Sequence, residues 1–159
     1  MKMEPKATFR LKKILVPTDF SECSTKALDY AVAIAEQSGA ELILLHVVEP
    51  VYYPAYGQDI PTALAEFPQD LMKVSQEGLE KLSREKIAGR VPARLVVETG
   101  SSYNTIVESA KSLGVDLIII ATHGYTGLKH VLLGSTAERV VRHAPCPVLA
   151  VRERKHDIV

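Results

Sequence analysis

Five short apolar runs, separated by segments with a helical pattern, most restrict how this chain can fold. They occupy residues 13–16, 41–48, 94–98, 116–120 and 148–151, and Val, Ile and Leu predominate in them. Most are continuously apolar, which is typical of strands buried on both faces of a parallel sheet. The segments between them repeat apolar residues every three to four positions, as amphipathic helices do. This alternation predicts an α/β fold with a five-stranded parallel sheet, helices on both faces and right-handed crossovers.

Capping residues and spacing indicate where the helices begin. Asp19 or Ser21 can accept a hydrogen bond from the first turn of a helix that follows the first strand. Ser135 and Glu138 have the spacing of a capping box, which predicts that the last helix opens at Ser135 and ends near His143. Residues 69–87 are expected to form one long helix.

Composition and charge limit the classes of function. The chain has 159 residues, and 19 basic side chains balance 19 acidic ones, so no net charge attracts nucleic acid or a membrane surface. No apolar run approaches the roughly 18 residues of a membrane span, and residues 1–13 lack the apolar segment of a secretory signal. Cys23 and Cys146 are isolated thiols. These features predict a cytoplasmic protein with a single domain over residues 1–159 and an ordered core of about 12–152.

A glycine-containing loop connects the fourth apolar run to the last predicted helix. Its glycines are Gly124, Gly127 and Gly134, and a helix start follows directly. Backbone N–H groups at such a place can bind an anion, and glycine permits close backbone approach and positive φ. The same glycines can serve only to form turns, and spacing alone leaves both interpretations open.

Several enzyme classes lack their motifs here. The chain contains no Gly-x4-Gly-Lys-Ser/Thr, no Gly-x-Gly-x-x-Gly after the first strand and no Gly-x-Ser-x-Gly. The histidines show no metal-ligand spacing with cysteines or carboxylates, so no metal site is predicted. A phosphoacceptor receiver domain needs several acids around a magnesium ion, whereas only Asp19 ends the first strand.

Ligands of open parallel sheets bind beyond the carboxyl ends of the strands, where the strand order reverses. Asp19 follows the first strand, Val47 lies at the end of the second, and His123 and Gly124 follow the fourth. If the first and fourth strands are neighbours, these residues face one crevice.

The chain resembles the universal stress protein (UspA-like) family, ATP-binding subgroup, over nearly its whole length. The resemblance is carried by residues 14–21 (ILVPTDFS), 44–47 (LLHV), 132–135 (LLGS) and 146–149 (CPVL). The family's ATP motif is Gly-x2-Gly-x9-Gly-Ser/Thr, and its last three fixed positions match Gly124, Gly134 and Ser135. Ala121 replaces the first glycine, and a strand-end conformation accommodates its methyl group.

The resemblance implies the strand order 3-2-1-4-5 of a Rossmann-like, adenine nucleotide alpha-hydrolase-like fold. It also implies a homodimer formed through residues 148–151 and a bound ATP with Mg²⁺ or Mn²⁺. Asp19, with Pro17 and Thr18, would contact the adenosine, and the backbone of Val47 would contact the adenine. The residues that would surround the ribose and phosphates are Ala121, His123, Gly124, Gly134, Ser135 and Thr136.

The implied function is that of a nucleotide-dependent regulatory protein of the stress response, with an unknown protein partner. Two alternatives stay open: a weak ATP hydrolase, and a family member that binds no nucleotide and acts through protein contacts. No catalytic residue is assigned, although His123 is the evident candidate for a general base. His46 is interpreted as a structural strand histidine outside the site.

Overall fold

A computed structural model describes residues 10–50, 67–123 and 133–152. In these residues, strands and helices alternate along the chain as the apolar runs predict. The strands are β1 (Lys13–Pro17), β2 (Glu41–Val48), β3 (Ala93–Thr99), β4 (Leu117–Ala121) and β5 (Val148–Val151). The helices are α1 (Glu22–Ser38), α2 (Phe67–Leu82, continued by a π-helical turn at Ser83–Ile87), α3 (Ser102–Ser112) and α4 (Ser135–His143).

The five strands form one parallel sheet in the order β3-β2-β1-β4-β5, which confirms the predicted fold class and strand order. β1 lies at the centre, paired with β2 through Ile14↔Leu42 and with β4 through Ile14↔Leu117. The chain therefore winds outward from β1 in one direction through β2 and β3, and in the other through β4 and β5. The carboxyl ends of β1 and β4 meet where the direction of winding reverses, which is the usual ligand position in such a sheet.

The sheet separates two apolar cores. Ile14, Val16 and Ile119 pack toward α1 and α2, whereas Leu15 and Ile118 pack toward α3 and α4. Successive strand residues point to opposite faces, so a strand covered on both sides must be apolar at every position. All five side chains have no exposed surface. Burial of each such side chain contributes about 1.5–3 kcal/mol, which explains why these runs dominate the sequence pattern.

α4 begins at Ser135, as predicted, but without the capping box that the spacing of Ser135 and Glu138 indicates. Gly134, with φ −65° and ψ 153°, is the N-cap, and Ser135 is the first helical residue. The backbone N–H of Gly134 donates to the Thr122 carbonyl at 2.7 Å, and this long-range bond determines where the chain enters the helix. Glu138 does not close a capping box. Its carboxylate instead accepts from Arg142 at 2.8 Å, one turn further along α4.

The long helix predicted over residues 69–87 begins earlier, at Phe67, and its end is not α-helical. Its last turn is a π-helical turn in which the N–H of Ala88 donates to the Ser83 carbonyl at 2.9 Å. Ala88 itself has φ 51°, and Gly89 follows with φ 71°. The helix therefore closes through two consecutive left-handed residues, of which the sequence indicates only the glycine.

α1 begins at the second of its two predicted capping residues. The hydroxyl of Ser21 accepts from the N–H of Ser24, which makes Ser21 the N-cap. The carboxylate of Asp19 accepts from the backbone N–H and the hydroxyl of Ser21, so it supports the cap from outside the helix. Within the described part of the chain, no helix combines the length and apolar character needed to cross a membrane.

Candidate functional site

A cavity of about 360 Å³ lies beyond the carboxyl ends of β1, β2 and β4. Its volume is within the range of small-molecule sites in proteins. The first turns of α3 and α4 complete its wall through Ser102 and Ser135. The cavity therefore occupies the place where the strand order reverses, as the sequence predicts for the ligand of this fold.

Nine of the ten residues predicted to bind nucleotide line this cavity. The tenth, Gly124, lies outside the described residues. The nine come from three strand ends and one helix start that are distributed along the chain from Pro17 to Thr136, and the fold brings them together. They are Pro17, Thr18, Asp19, Val47, Ala121, His123, Gly134, Ser135 and Thr136.

The turn after β1 is held by Thr18. Its backbone N–H donates to the Leu45 carbonyl at 2.8 Å, which ties the turn to β2. Its buried hydroxyl oxygen accepts from the N–H of Phe20 at 3.0 Å and shares a hydrogen bond of 3.0 Å with the hydroxyl of Ser24. Phe20 has φ 64°, a conformation that a bulky residue adopts only when its surroundings enforce it. Thr18 supplies part of that enforcement and so positions Asp19 at the cavity.

We expect Thr18→Val to lower the free energy of unfolding by about 1–3 kcal/mol. Valine keeps the shape of threonine but leaves the N–H of Phe20 and the hydroxyl of Ser24 without this partner. Urea denaturation followed by circular dichroism measures the change. Thr99→Val, at an exposed position at the end of β3, is the matched control and should change stability by less than about 0.5 kcal/mol. Equal effects of the two substitutions would contradict the role of Thr18.

His46 combines a structural contact with a place in the cavity wall. Its Nδ1 lies 2.8 Å from the Thr18 carbonyl oxygen. Because a carbonyl only accepts, Nδ1 carries the proton, and in the neutral ring Nε2 is then an acceptor. The ring also packs against Phe20, with 4.5 Å between ring centroids. The prediction of a strand histidine with a satisfied hydrogen bond is correct, but His46 also lines the cavity, which the sequence interpretation missed.

The opposite wall is formed where β4 meets α4. Thr122 is buried, its N–H donates to the Val151 carbonyl at 2.9 Å, and its carbonyl accepts from Gly134. A Cβ atom added to Gly134 would lie 2.9 Å from that carbonyl oxygen. Glycine is therefore required for close backbone approach. The expected second reason, positive φ, does not apply because the φ of Gly134 is −65°.

The start of α4 offers backbone donors to the cavity. Ser135, Thr136 and Ala137 line it, and the N-cap Gly134 has no side chain to occupy their N–H groups. The positive end of the helix dipole and these N–H groups together favour an anion. Among the described residues that line the cavity there is no lysine or arginine, so the donors in this part of the wall are backbone N–H groups and the hydroxyls of Ser135 and Thr136.

The cavity wall also contains an imidazole, that of His123, and two carboxylates. Nδ1 of His123 lies 2.9 Å from the hydroxyl of Thr122, a contact that orients the ring. Asp19 and Glu49 place two carboxylates in the wall. Within residues 10–50, 67–123 and 133–152, no three His, Cys, Asp or Glu side chains are grouped so that they could hold a metal ion.

Sequence reasoning missed a second helix start at the cavity, that of α3. The Glu49 carboxylate accepts from the N–H of Ser102 at 2.9 Å, and both residues line the wall with Ile106. Hydrogen bonds from the Ser102 side chain and backbone lower the pKa of Glu49. The available signal was an acid placed directly after β2, at the end of the sheet where ligands bind.

Comparison with known proteins places the chain in a family. The model of the universal stress protein family matches residues 10–152. The chain belongs to the universal stress protein family. Universal stress protein MJ0531 of Methanocaldococcus jannaschii is 36% identical over 92% of this chain and 85% of its own length. YxiE of Bacillus subtilis is 38% identical over 88% of this chain and 98% of its own length. The structure of UspA from Lactobacillus plantarum superposes with a TM-score of 0.76 at 29% identity, covering 90% of this chain and 99% of the other.

Proposed function

We propose that this universal stress protein binds ATP, together with Mg²⁺ or Mn²⁺, and acts as a nucleotide-dependent regulatory protein of the stress response. One observation carries the proposal. Nine of the ten residues that the family resemblance implies for nucleotide binding line one cavity of about 360 Å³ at the position expected for a ligand.

The chemistry of the wall suits the two halves of a nucleotide. Asp19 and the backbone of Val47 lie at the ends of β1 and β2 and would receive the adenosine. The N–H groups that open α4 would receive the phosphates, because they supply hydrogen-bond donors and a positive helix end without a lysine. The absence of a Cβ atom at Gly134 keeps this part of the wall close-packed and its backbone accessible. A divalent cation would take most of its oxygen ligands from the phosphates and water, as Mg²⁺ commonly does.

Another protein with this fold has been solved with an adenine nucleotide bound. A universal stress protein solved in complex with cAMP superposes with a TM-score of 0.65 at 24% identity. That likeness extends to the fold alone, so the proposal for this chain depends on its own cavity and motif residues.

Two other functions make different predictions. A weak ATP hydrolase needs a general base, and His123 is the candidate because its ring is oriented by Thr122 at the cavity wall. A member that acts through protein contacts alone would bind no nucleotide, and Ala121 in the first motif position supports that alternative.

Mass spectrometry of ligand released on denaturation tests binding, and phosphate release from Mg-ATP tests hydrolysis. ATP recovered intact with no turnover supports the regulatory function; phosphate release that is lost in His123→Ala supports the hydrolase.

We also propose that two copies pair through β5. β5 is an edge strand, and no strand in the described parts of the chain pairs with its outer side. Leu149 on β5 and Val141 on α4 are 38% and 48% exposed, so the edge presents apolar side chains beside unpaired backbone groups. Such an edge is suited to antiparallel pairing with a second copy across a two-fold axis.

Ala150→Pro should convert the dimer into a monomer while the fold survives. The carbonyls of Pro147 and Val151 accept from Ile118 on β4 and from Thr122 directly after it, so the N–H groups of the intervening alternate residues, including Ala150, face the open edge. Proline is tolerated at an edge position whose N–H faces solvent. Sedimentation at micromolar concentration is the measurement. Leu149→Pro, which removes a donor to β4, should instead destabilise the fold. A wild-type monomer, or a dimer that Ala150→Pro leaves intact, would contradict the proposed contact.

A further inference from the structure

One carboxylate in the cavity wall belongs to no motif of the sequence, that of Glu49. It follows β2 directly and lines the cavity next to Ser102. Oε1 of Glu49 accepts from the Ser102 N–H at 2.9 Å, which holds the carboxylate against the first turn of α3. The side chain is therefore positioned before any ligand arrives.

The Glu49 carboxylate is charged and can accept further hydrogen bonds. Hydrogen bonds from the Ser102 side chain and backbone keep the pKa of Glu49 below its ordinary value, so the group is ionised at neutral pH. An ionised carboxylate only accepts, and its two oxygens offer about four lone-pair sites. Among the described residues, the bonds to Ser102 occupy part of this capacity, and the rest is available to a donor in the cavity.

The two helix starts at the cavity are therefore electrostatically different. At α3, the negative charge of Glu49 offsets the positive end of the helix dipole, and Glu49 would repel a phosphate placed there. At α4, no described side chain caps the first turn. A ligand with one anionic end and one neutral, donor-rich end would gain most by placing its anion at α4 and its donors at Glu49.

We infer that Glu49 is a specificity-determining residue, which accepts a hydrogen bond from a neutral donor of the nucleoside half and so fixes the direction in which the nucleotide lies. The donor is a ribose hydroxyl or the adenine amino group, which share this chemistry. The inference rests on the ATP binding proposed above, and it adds a residue outside the family motif.

The test removes each partner separately. The full chain is titrated calorimetrically with the magnesium complexes of ATP, 2′-deoxy-ATP, 3′-deoxy-ATP and purine riboside triphosphate, which lacks the amino group. Glu49→Gln removes the charge and keeps an oxygen that can accept from Ser102. Glu98→Gln is the matched control. The Glu98 carboxylate accepts at 3.2 Å from the hydroxyl of Ser109, which lies on α3 as Ser102 does, and Glu98 does not line the cavity.

In the wild type and in Glu98→Gln, at least one analogue should bind about ten-fold more weakly than ATP, since a hydrogen bond to a charged group is lost. In Glu49→Gln, the loss for that analogue should fall to about three-fold or less. Equal losses in all three proteins, or equal affinity for all four nucleotides, would overturn the role of Glu49 and leave ATP binding standing. A wild type that binds none of the four would overturn both proposals.

Discussion

Gly134→Val should weaken the binding of Mg-ATP by about ten- to a hundred-fold, the largest effect on affinity that we expect from one substitution. The new Cβ atom would lie 2.9 Å from the Thr122 carbonyl oxygen, closer than real Cβ contacts permit. Relief of this contact must lengthen the 2.7 Å bond between Gly134 and Thr122 and displace the first turn of α4. Each hydrogen bond to a phosphate that is lost costs about 1.5–3 kcal/mol.

The control for Gly134→Val is a glycine remote from the cavity. Gly39 ends α1 with φ 73° and has open space at its Cβ position, so Gly39→Ala strains the backbone without touching the site. It should lower stability by roughly 1 kcal/mol and leave the affinity for Mg-ATP unchanged. Calorimetric titration gives the affinities, and circular dichroism verifies the folds. Wild-type affinity in Gly134→Val would show that the start of α4 does not receive the phosphates.

Leu44→Ala should lower the free energy of unfolding by about 2–5 kcal/mol, the largest effect on stability that we expect from a single substitution. Leu44 has no exposed surface and lies on β2 between β1 and β3, where the strands cannot collapse into the space that alanine leaves. Denaturation by urea, followed by circular dichroism, measures the loss.

Leu71→Ala, a leucine-to-alanine substitution on the exposed surface of α2, is the control for Leu44→Ala. Leu71 is 38% exposed, so Leu71→Ala should cost less than about 1 kcal/mol. Leu44 does not line the cavity, so protein of this variant that remains folded should bind Mg-ATP as the wild type does. Similar losses for the two substitutions would mean that β2 is not buried as described.

The sheet could be predicted because burial on both faces leaves a direct trace in the sequence. Ile118, Ile119 and Ile120 must all be apolar when helices cover both sides of β4. The order of the strands leaves no such trace, since an apolar run does not specify its neighbour. The strand order came from the family resemblance, and the pairing of β1 with β4 confirms it.

The details of the site could not be predicted where they depend on contacts between distant residues. Ser135 and Glu138 have the spacing of a capping box, but Gly134, held by its bond to Thr122, is the N-cap of α4. Glu49 follows β2 at the end of the sheet where ligands bind, but the contact that holds its carboxylate there is with Ser102, which is 53 positions away in the sequence. Local spacing does not encode either contact.

Calorimetric titration of the purified full chain with Mg-ATP tests the central claim most directly, with Ala121→Gly titrated in parallel. Ala121 is the one departure from the ATP motif, and it lines the cavity at the end of β4. We expect saturable binding to the wild type below millimolar ATP, with the affinity of Ala121→Gly equal or slightly higher because only a methyl group is removed. The absence of binding to either protein at millimolar Mg-ATP would contradict the account.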